Sequence, residues 1–134
     1  MNIVEAEKAV IGAVLADPRV LDSVLDVCPA EFFLEKPIGQ ILRCMESLSE
    51  RKEIIDIVTV SNEIRLKTSD PLLALTLPEC VELCATPTGA VSYARIVAGM
   101  YYERQISSLA KKFAETQERE ALNKLSEALV AKER

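Results

Sequence analysis

With 134 residues, 49% of them apolar and 28% charged, the chain is long enough for one packed core and too apolar to be disordered. Trp is absent and aromatic residues make up only 4%, so Leu, Ile, Val and Ala must fill that core; the four Gly allow few tight hairpins. The net charge is −5, and residues 1–101 alone hold nine Lys or Arg against fifteen Asp or Glu, a balance that argues against tight binding of DNA phosphates by this chain alone.

Helical signals run the length of the chain. Asn2 followed by Glu5 predicts a capping box, and Ala6, Val10, Ile11, Val14 and Leu15 come after it at helical spacing. Asp17-Pro18 stops that helix and starts another, whose apolar face is Val20, Leu21, Val24 and Leu25. Asp22 and Asp26 fall on its solvent side. Pro29 and Phe32-Phe33 predict a short helical turn or loop, with the rings filling core. Pro37 opens a third helix with Ile38, Ile41, Leu42, Met45 and Leu48 buried, and Glu50 to Glu53 is a charged connection.

Residues Ile54 to Val60 are dense in β-branched side chains, which suggests a strand. Asp56 is a plausible cap, however, and Val60, Ile64 and Leu66 continue at helical spacing, so a helix from Ile57 to Lys67 is expected. Ser69-Asp70-Pro71 restarts the chain. Thr76 with Glu79 predicts a second capping box, leading into a short helix that packs through Val81, Leu83 and Cys84. Thr86-Pro87-Thr88-Gly89 is the clearest boundary, since Pro87 disfavours helix at Thr86 and Thr88 can cap the next helix.

Beyond it a helical pattern presents Ile96, Met100, Tyr101, Ile106, Leu109, Ala110 and Phe113. The wholly polar stretch Glu115-Thr116-Gln117-Glu118-Arg119 predicts a turn, and Leu122, Leu125 and Leu129 mark a final helix. The expected fold is therefore all-α, a compact helical head over residues 1–88 followed by an antiparallel helical hairpin over residues 89–134. The apolar residues Ile106, Leu109, Ala110, Phe113, Leu122, Leu125 and Leu129 exceed what two helices can shield from each other. Either the pair docks on the head, or it meets another chain, as in a four-helix bundle made from two hairpins.

Little in the chain speaks of catalysis. There is no Gly-x-x-x-x-Gly-Lys phosphate loop, no Gly-x-Gly-x-x-Gly and no His, so the commonest general base and metal ligand is missing. Glu5 and Glu7 lie on different helix faces and make a poor carboxylate pair. Cys28, Cys44, Cys80 and Cys84 include one pair at i, i+4, but zinc knuckles use a two-residue spacing; small buried hydrophobes are the better reading. Tyr101-Tyr102 could stack bases, although a core role suits one ring better, and Arg104, Lys111, Lys112 and Arg119 form a basic set offset by nearby Glu. No catalytic, cofactor-binding or metal-ligating residue is expected. The longest apolar run, Ala9 to Ala16, is too short to cross a membrane, and no signal peptide is visible, which predicts a cytoplasmic protein.

Four segments, in this order and at these distances, carry a resemblance: Val4-Glu5-Ala6-Glu7-Lys8-Ala9-Val10-Ile11-Gly12-Ala13-Val14-Leu15, Asp56-Ile57-Val58-Thr59-Val60, Thr86-Pro87-Thr88 and Tyr93-Ala94-Arg95-Ile96-Val97. Together they resemble the N-terminal domain of the DnaB family of replicative helicases, over about residues 3–114. The resemblance implies a helical head and a hairpin that self-associates as a dimer or trimer of dimers, forming a collar on a hexameric ring. It implies primase and a helicase loader as partners. ATP, magnesium and most DNA contact are expected only in a separate 5′–3′ motor domain, and the setting is a bacterial cell or a phage-infected host. The chain departs from the pattern where a Gly-Gly is replaced near Lys67 to Leu72, an Asn is absent near Val91 and a His is absent near Gly39, as in a divergent, phage-encoded member. With no stop signal between Leu129 and Arg134, a continuation into the motor is expected; the alternative is a free-standing helical regulator or loader that mimics the collar and binds a helicase.

Overall fold

The computed structural model describes residues 1–84 and 86–133, with the backbone alone at 87, 132 and 133. Among them are six α-helices and no strand: α1 (Ile3–Ala16), α2 (Leu21–Val27), α3 (Lys36–Glu50), α4 (Ile57–Lys67), α5 (Leu77–Leu83) and α6 (Ala90–Glu133). Short 3-10 segments at Pro18–Val20, Ala30–Phe32, Pro71–Thr76 and Pro87–Gly89 join several of them. The all-helical class is borne out.

The chain forms two compact units, Met1–Tyr101 and Tyr102–Arg134. In the first, α1 packs against α5 and α3, and α3 against α4. Small residues make α1 a central rod: Ala6, Ala9, Val10, Ile11, Ala13 and Val14 are all fully buried. Gly12 sets the closest approach, since a Cβ there would stand 2.0 Å from the Cys80 carbonyl oxygen and 2.9 Å from Cys84 Cβ. The predicted face of α3 is buried in full, from Ile38 through Leu48. Phe33 is buried as well, while Phe32 stacks on Tyr101 with ring centroids 4.0 Å apart.

Side-chain capping fixes the starts of α1 and α4. Asn2 Oδ1 accepts from Glu5 N at 2.9 Å, although no return bond from Asn2 N–H to the Glu5 carboxylate is found among the described residues. Asp56 and Thr59 form the full reciprocal box on α4: Thr59 N donates to Asp56 Oδ1 at 2.8 Å, and Asp56 N to Thr59 Oγ1 at 2.9 Å. That box resolves the helix-or-strand ambiguity of this segment in favour of the helix expected at Ile57 to Lys67.

Several expectations are corrected. Thr76 does not cap α5; it lies in the preceding 3-10 turn with helical backbone, and its hydroxyl donates to Leu73 O at 2.7 Å. On α5 the buried residues are Leu77 and Cys80, while Val81 is 41% exposed. On α6 the core-facing residues are Ala90, Ala94, Val97 and Ala98, and Ile96 points outward. These turns of α6 belong to the first unit, so the compact head extends to Tyr101, past the boundary expected at residue 88.

The hairpin turn expected at Glu115 to Arg119 is not formed, because α6 runs unbroken through it. The segment is polar but holds neither Gly nor Pro, and Glu, Gln and Arg are good helix formers. Its one poor helix former, Thr116, is accommodated by donating its hydroxyl to Lys112 O at 2.9 Å.

Candidate protein-interaction surface

All seven residues singled out from the sequence lie on α6 within the unit Tyr102–Arg134. They are exposed: Ile106, Phe113 and Leu122 to about two thirds of their surface (67%, 67% and 66%), with Leu109, Ala110, Leu125 and Leu129 also open to solvent. Isolated exposed apolar residues are ordinary, but a run of this length on one helix is a candidate contact surface.

The structure brings only part of the set together. Ile106, Leu109, Ala110 and Phe113 line one shallow apolar trough, flanked by Lys112 and Thr116. At about 100° per residue these four fall within a sector about 100° wide, whereas Leu122, Leu125 and Leu129 fall within another, centred roughly 140° away. A turn at 115–119 would have allowed both stripes to meet one seam; on the continuous helix they face different ways. Val130, missed from the sequence, is half exposed and adjoins Ser126, Glu127 and Ala131.

A second apolar surface lies on the head. Leu15 and Ala16 at the end of α1, Asp56, Ile57 and Val58 at the start of α4, and Val81 of α5 line a groove. Val58 is 76% exposed and Ile54, nearby in sequence, 74%. The available signal was the adjacency of Ile54-Ile55 and Ile57-Val58: a helix turning into a core cannot bury both members of each pair.

Two buried carboxylates were also missed. Glu7 is fully buried on α1 and accepts from Leu34 N at 2.6 Å and Glu35 N at 3.1 Å, so it caps the entry to α3 from another helix. Glu63 on α4 is buried against Arg51, which also pairs with Glu53. These carboxylates raise the pKa of Arg51 further, Glu53 contributing most. Both groups are spent on positioning helices. Sequence spacing cannot reveal either, because their partners lie more than ten residues away.

The cysteines are free thiols, with Cys28, Cys44 and Cys80 buried and Cys84 partly so. Burial pushes Cys28 up to about 12, with Glu7 and Glu31 adding to the effect. It pushes Cys80 up to about 12 as well, against a small opposing pull from Lys8. Such thiols are packing groups rather than nucleophiles. No cluster of three or more metal-ligating side chains occurs among the described residues, and no described helix is long and apolar enough to cross a membrane.

Comparison with known proteins agrees with the architecture. The chain is 30% identical over 106 residues to the replicative DNA helicase DnaB of Rhodothermus marinus, covering 77% of this chain and 11% of that protein. It is 32% identical over 116 residues to the replicative DNA helicase DnaB of Geobacillus stearothermophilus, covering 84% and 25%. The chain thus spans a quarter or less of the length of these relatives. Among solved structures, the N-terminal domain of DnaB helicase from Mycobacterium tuberculosis superposes with a TM-score of 0.73 at 23% identity, over 84% of this chain and 83% of that one. The N-terminal domain of DnaB helicase from Helicobacter pylori, described together with its interactions with primase, superposes with a TM-score of 0.70 at 16% identity, over 85% and 90%. Since the sequence pattern of the DnaB-like helicase N-terminal domain also matches residues 1–99, this chain belongs to that family.

Proposed function

We propose that the chain is the assembly and partner-docking module of a hexameric replicative DNA helicase and performs no catalysis itself. The observation that carries this reading is the exposed apolar surface of α6, built from Ile106, Leu109, Ala110, Phe113, Leu122, Leu125 and Leu129. Covering each large side chain on association contributes about 1.5–3 kcal/mol before the entropic costs of binding. A second copy of the chain is the proposed cover, giving dimers and then a trimer of dimers.

Primase and a helicase loader are the proposed partners, as the primase interaction described for the Helicobacter pylori domain suggests. The sequence has no phosphate loop, so ATP with magnesium, and most of the DNA contact, are assigned to a separate motor domain. The proposed setting is the cytoplasm of a bacterium or of a phage-infected host.

Light scattering of the purified chain should give a mass above that of one copy, lowered by Leu125→Asp, because a charge would enter an apolar seam. An unchanged mass with the fold intact would remove the stripe of Leu122, Leu125 and Leu129 from the interface, and ATP hydrolysis by the pure chain would overturn the non-catalytic assignment. Reading the gene past Arg134 separates this proposal from its rival. A frame continuing into a phosphate-loop motif is expected, whereas a stop codon would favour a free-standing regulator that binds a helicase.

A further inference from the structure

A cavity of about 200 Å³ lies outside both apolar surfaces, between α3 and the end of α4. Gln40, Arg43, Cys44 and Ser47 line it from successive turns of one α3 face, and Lys67 and Thr68 close it from the opposite side. No carboxylate lines it, although this head carries fifteen acidic residues. Arg43 has one weak partner, Glu31 at 3.9 Å, with both side chains largely exposed. The side chains of Gln40, Ser47 and Lys67 make no hydrogen bond or ion pair among the described residues. Burial raises the pKa of Cys44, the Glu63 carboxylate beyond the lining adds to the rise, and Lys67 opposes it with a smaller effect.

A helix C-terminus would ordinarily oppose an anion here. Of the last four α4 carbonyls that of Ile64 is satisfied, because Thr68 N and Thr68 Oγ1 both donate to it, at 2.9 and 2.8 Å, and the Lys67 ammonium in the last turn offsets the terminal dipole. Besides the Cys44 thiol and the Thr68 hydroxyl, the lining offers a guanidinium, an ammonium, an amide and the Ser47 hydroxyl. All four can donate to oxyanions, and the two cations do so with charge-assisted bonds. The volume is below that of pockets that enclose whole drug-sized ligands, so a small head group fits while any larger body stays in solvent.

We propose that this cavity binds a phosphate group, with Arg43 and Lys67 supplying charge and Gln40 and Ser47 directional donors. The group arrives either as free diphosphate or as the terminus of a nucleotide. Nothing in the cavity activates water or a leaving group, so the site binds and does not hydrolyse.

Calorimetric titration with inorganic diphosphate at low salt tests the assignment. Saturable binding is expected, weakened about tenfold or more by Arg43→Gln combined with Lys67→Gln, and retained by Arg95→Gln, which removes a charge elsewhere. Circular dichroism confirms the fold of each variant, and Lys67→Gln alone serves if the double variant is perturbed. A parallel titration with ADP separates the sources: tighter binding than diphosphate, lost in the same variant, assigns a nucleotide, and equal binding assigns the free anion. Absence of saturation, or equal loss in the double variant and Arg95→Gln, overturns the proposal.

Discussion

Two glycines on helices behave in opposite ways, and the difference lies in what surrounds them. At Gly12 a Cβ would overlap the Cys80 carbonyl, so Gly12→Ala must push α1 away from α5. A loss of about 1–3 kcal/mol in chemical denaturation is expected, as for overpacked cores. At Gly99 nothing lies within 4 Å of the added carbon. Gly99→Ala should therefore stabilise by about 0.5–1 kcal/mol through helix propensity alone. The sequence marks both as helical glycines, but only the fold shows which one is a contact. The buried thiols supply a pH signature at the same scale. Cys28 and Cys80 rise from an ordinary 9.0 to about 12 on burial, so between these values the unfolded chain has lost protons that the folded chain keeps. Stability from this source is complete below pH 9 and falls as pH rises from 9 towards 12, by at most about 1.4 kcal/mol per pH unit for each thiol. Denaturation midpoints measured across this window should fall less steeply in Cys28→Ala than in the parent chain.

At the scale of elements, legibility tracks how local the determining interaction is. The bounds of α4 could be read because Asp56 and Thr59 satisfy each other within one turn, and Asp56→Ala should cost about 0.5–2 kcal/mol of stability in thermal denaturation. The comparable signal at Thr76 misleads because Asp70 starts a 3-10 turn upstream, where Asp70 Oδ1 accepts from Leu72 N at 3.1 Å. By the time the chain reaches Thr76 it is already helical, and the hydroxyl turns back to Leu73 instead. The entry to α3 was legible only in part: Pro37 announces it, but the buried group that accepts from Leu34 N and Glu35 N is Glu7, from a helix 27 residues earlier. Likewise the polar run at 115–119 looks like a turn because exposure and irregularity share a composition. Its residues favour helix wherever no Gly or Pro interrupts them.

At the scale of the whole molecule, the candidate interface was legible as a set of residues and not as a geometry. Apolar side chains in a polar context can be counted from sequence, whereas the direction each stripe faces depends on whether the helix between them breaks. Because α6 is continuous, the stripe of Ile106, Leu109, Ala110 and Phe113 and the stripe of Leu122, Leu125 and Leu129 point roughly 140° apart. One partner helix cannot cover both on an unbent rod. Under the proposed assembly this is an asset, since a trimer of dimers needs two different contacts, one within a dimer and one that links dimers. Phe113→Asp and Leu125→Asp should then each remove one contact and leave the other, so that each single variant gives an intermediate mass in sedimentation and only the double variant gives a monomer. If either single variant were already monomeric, the two stripes would share one seam. α6 would then have to bend between Ala114 and Ala121 on association.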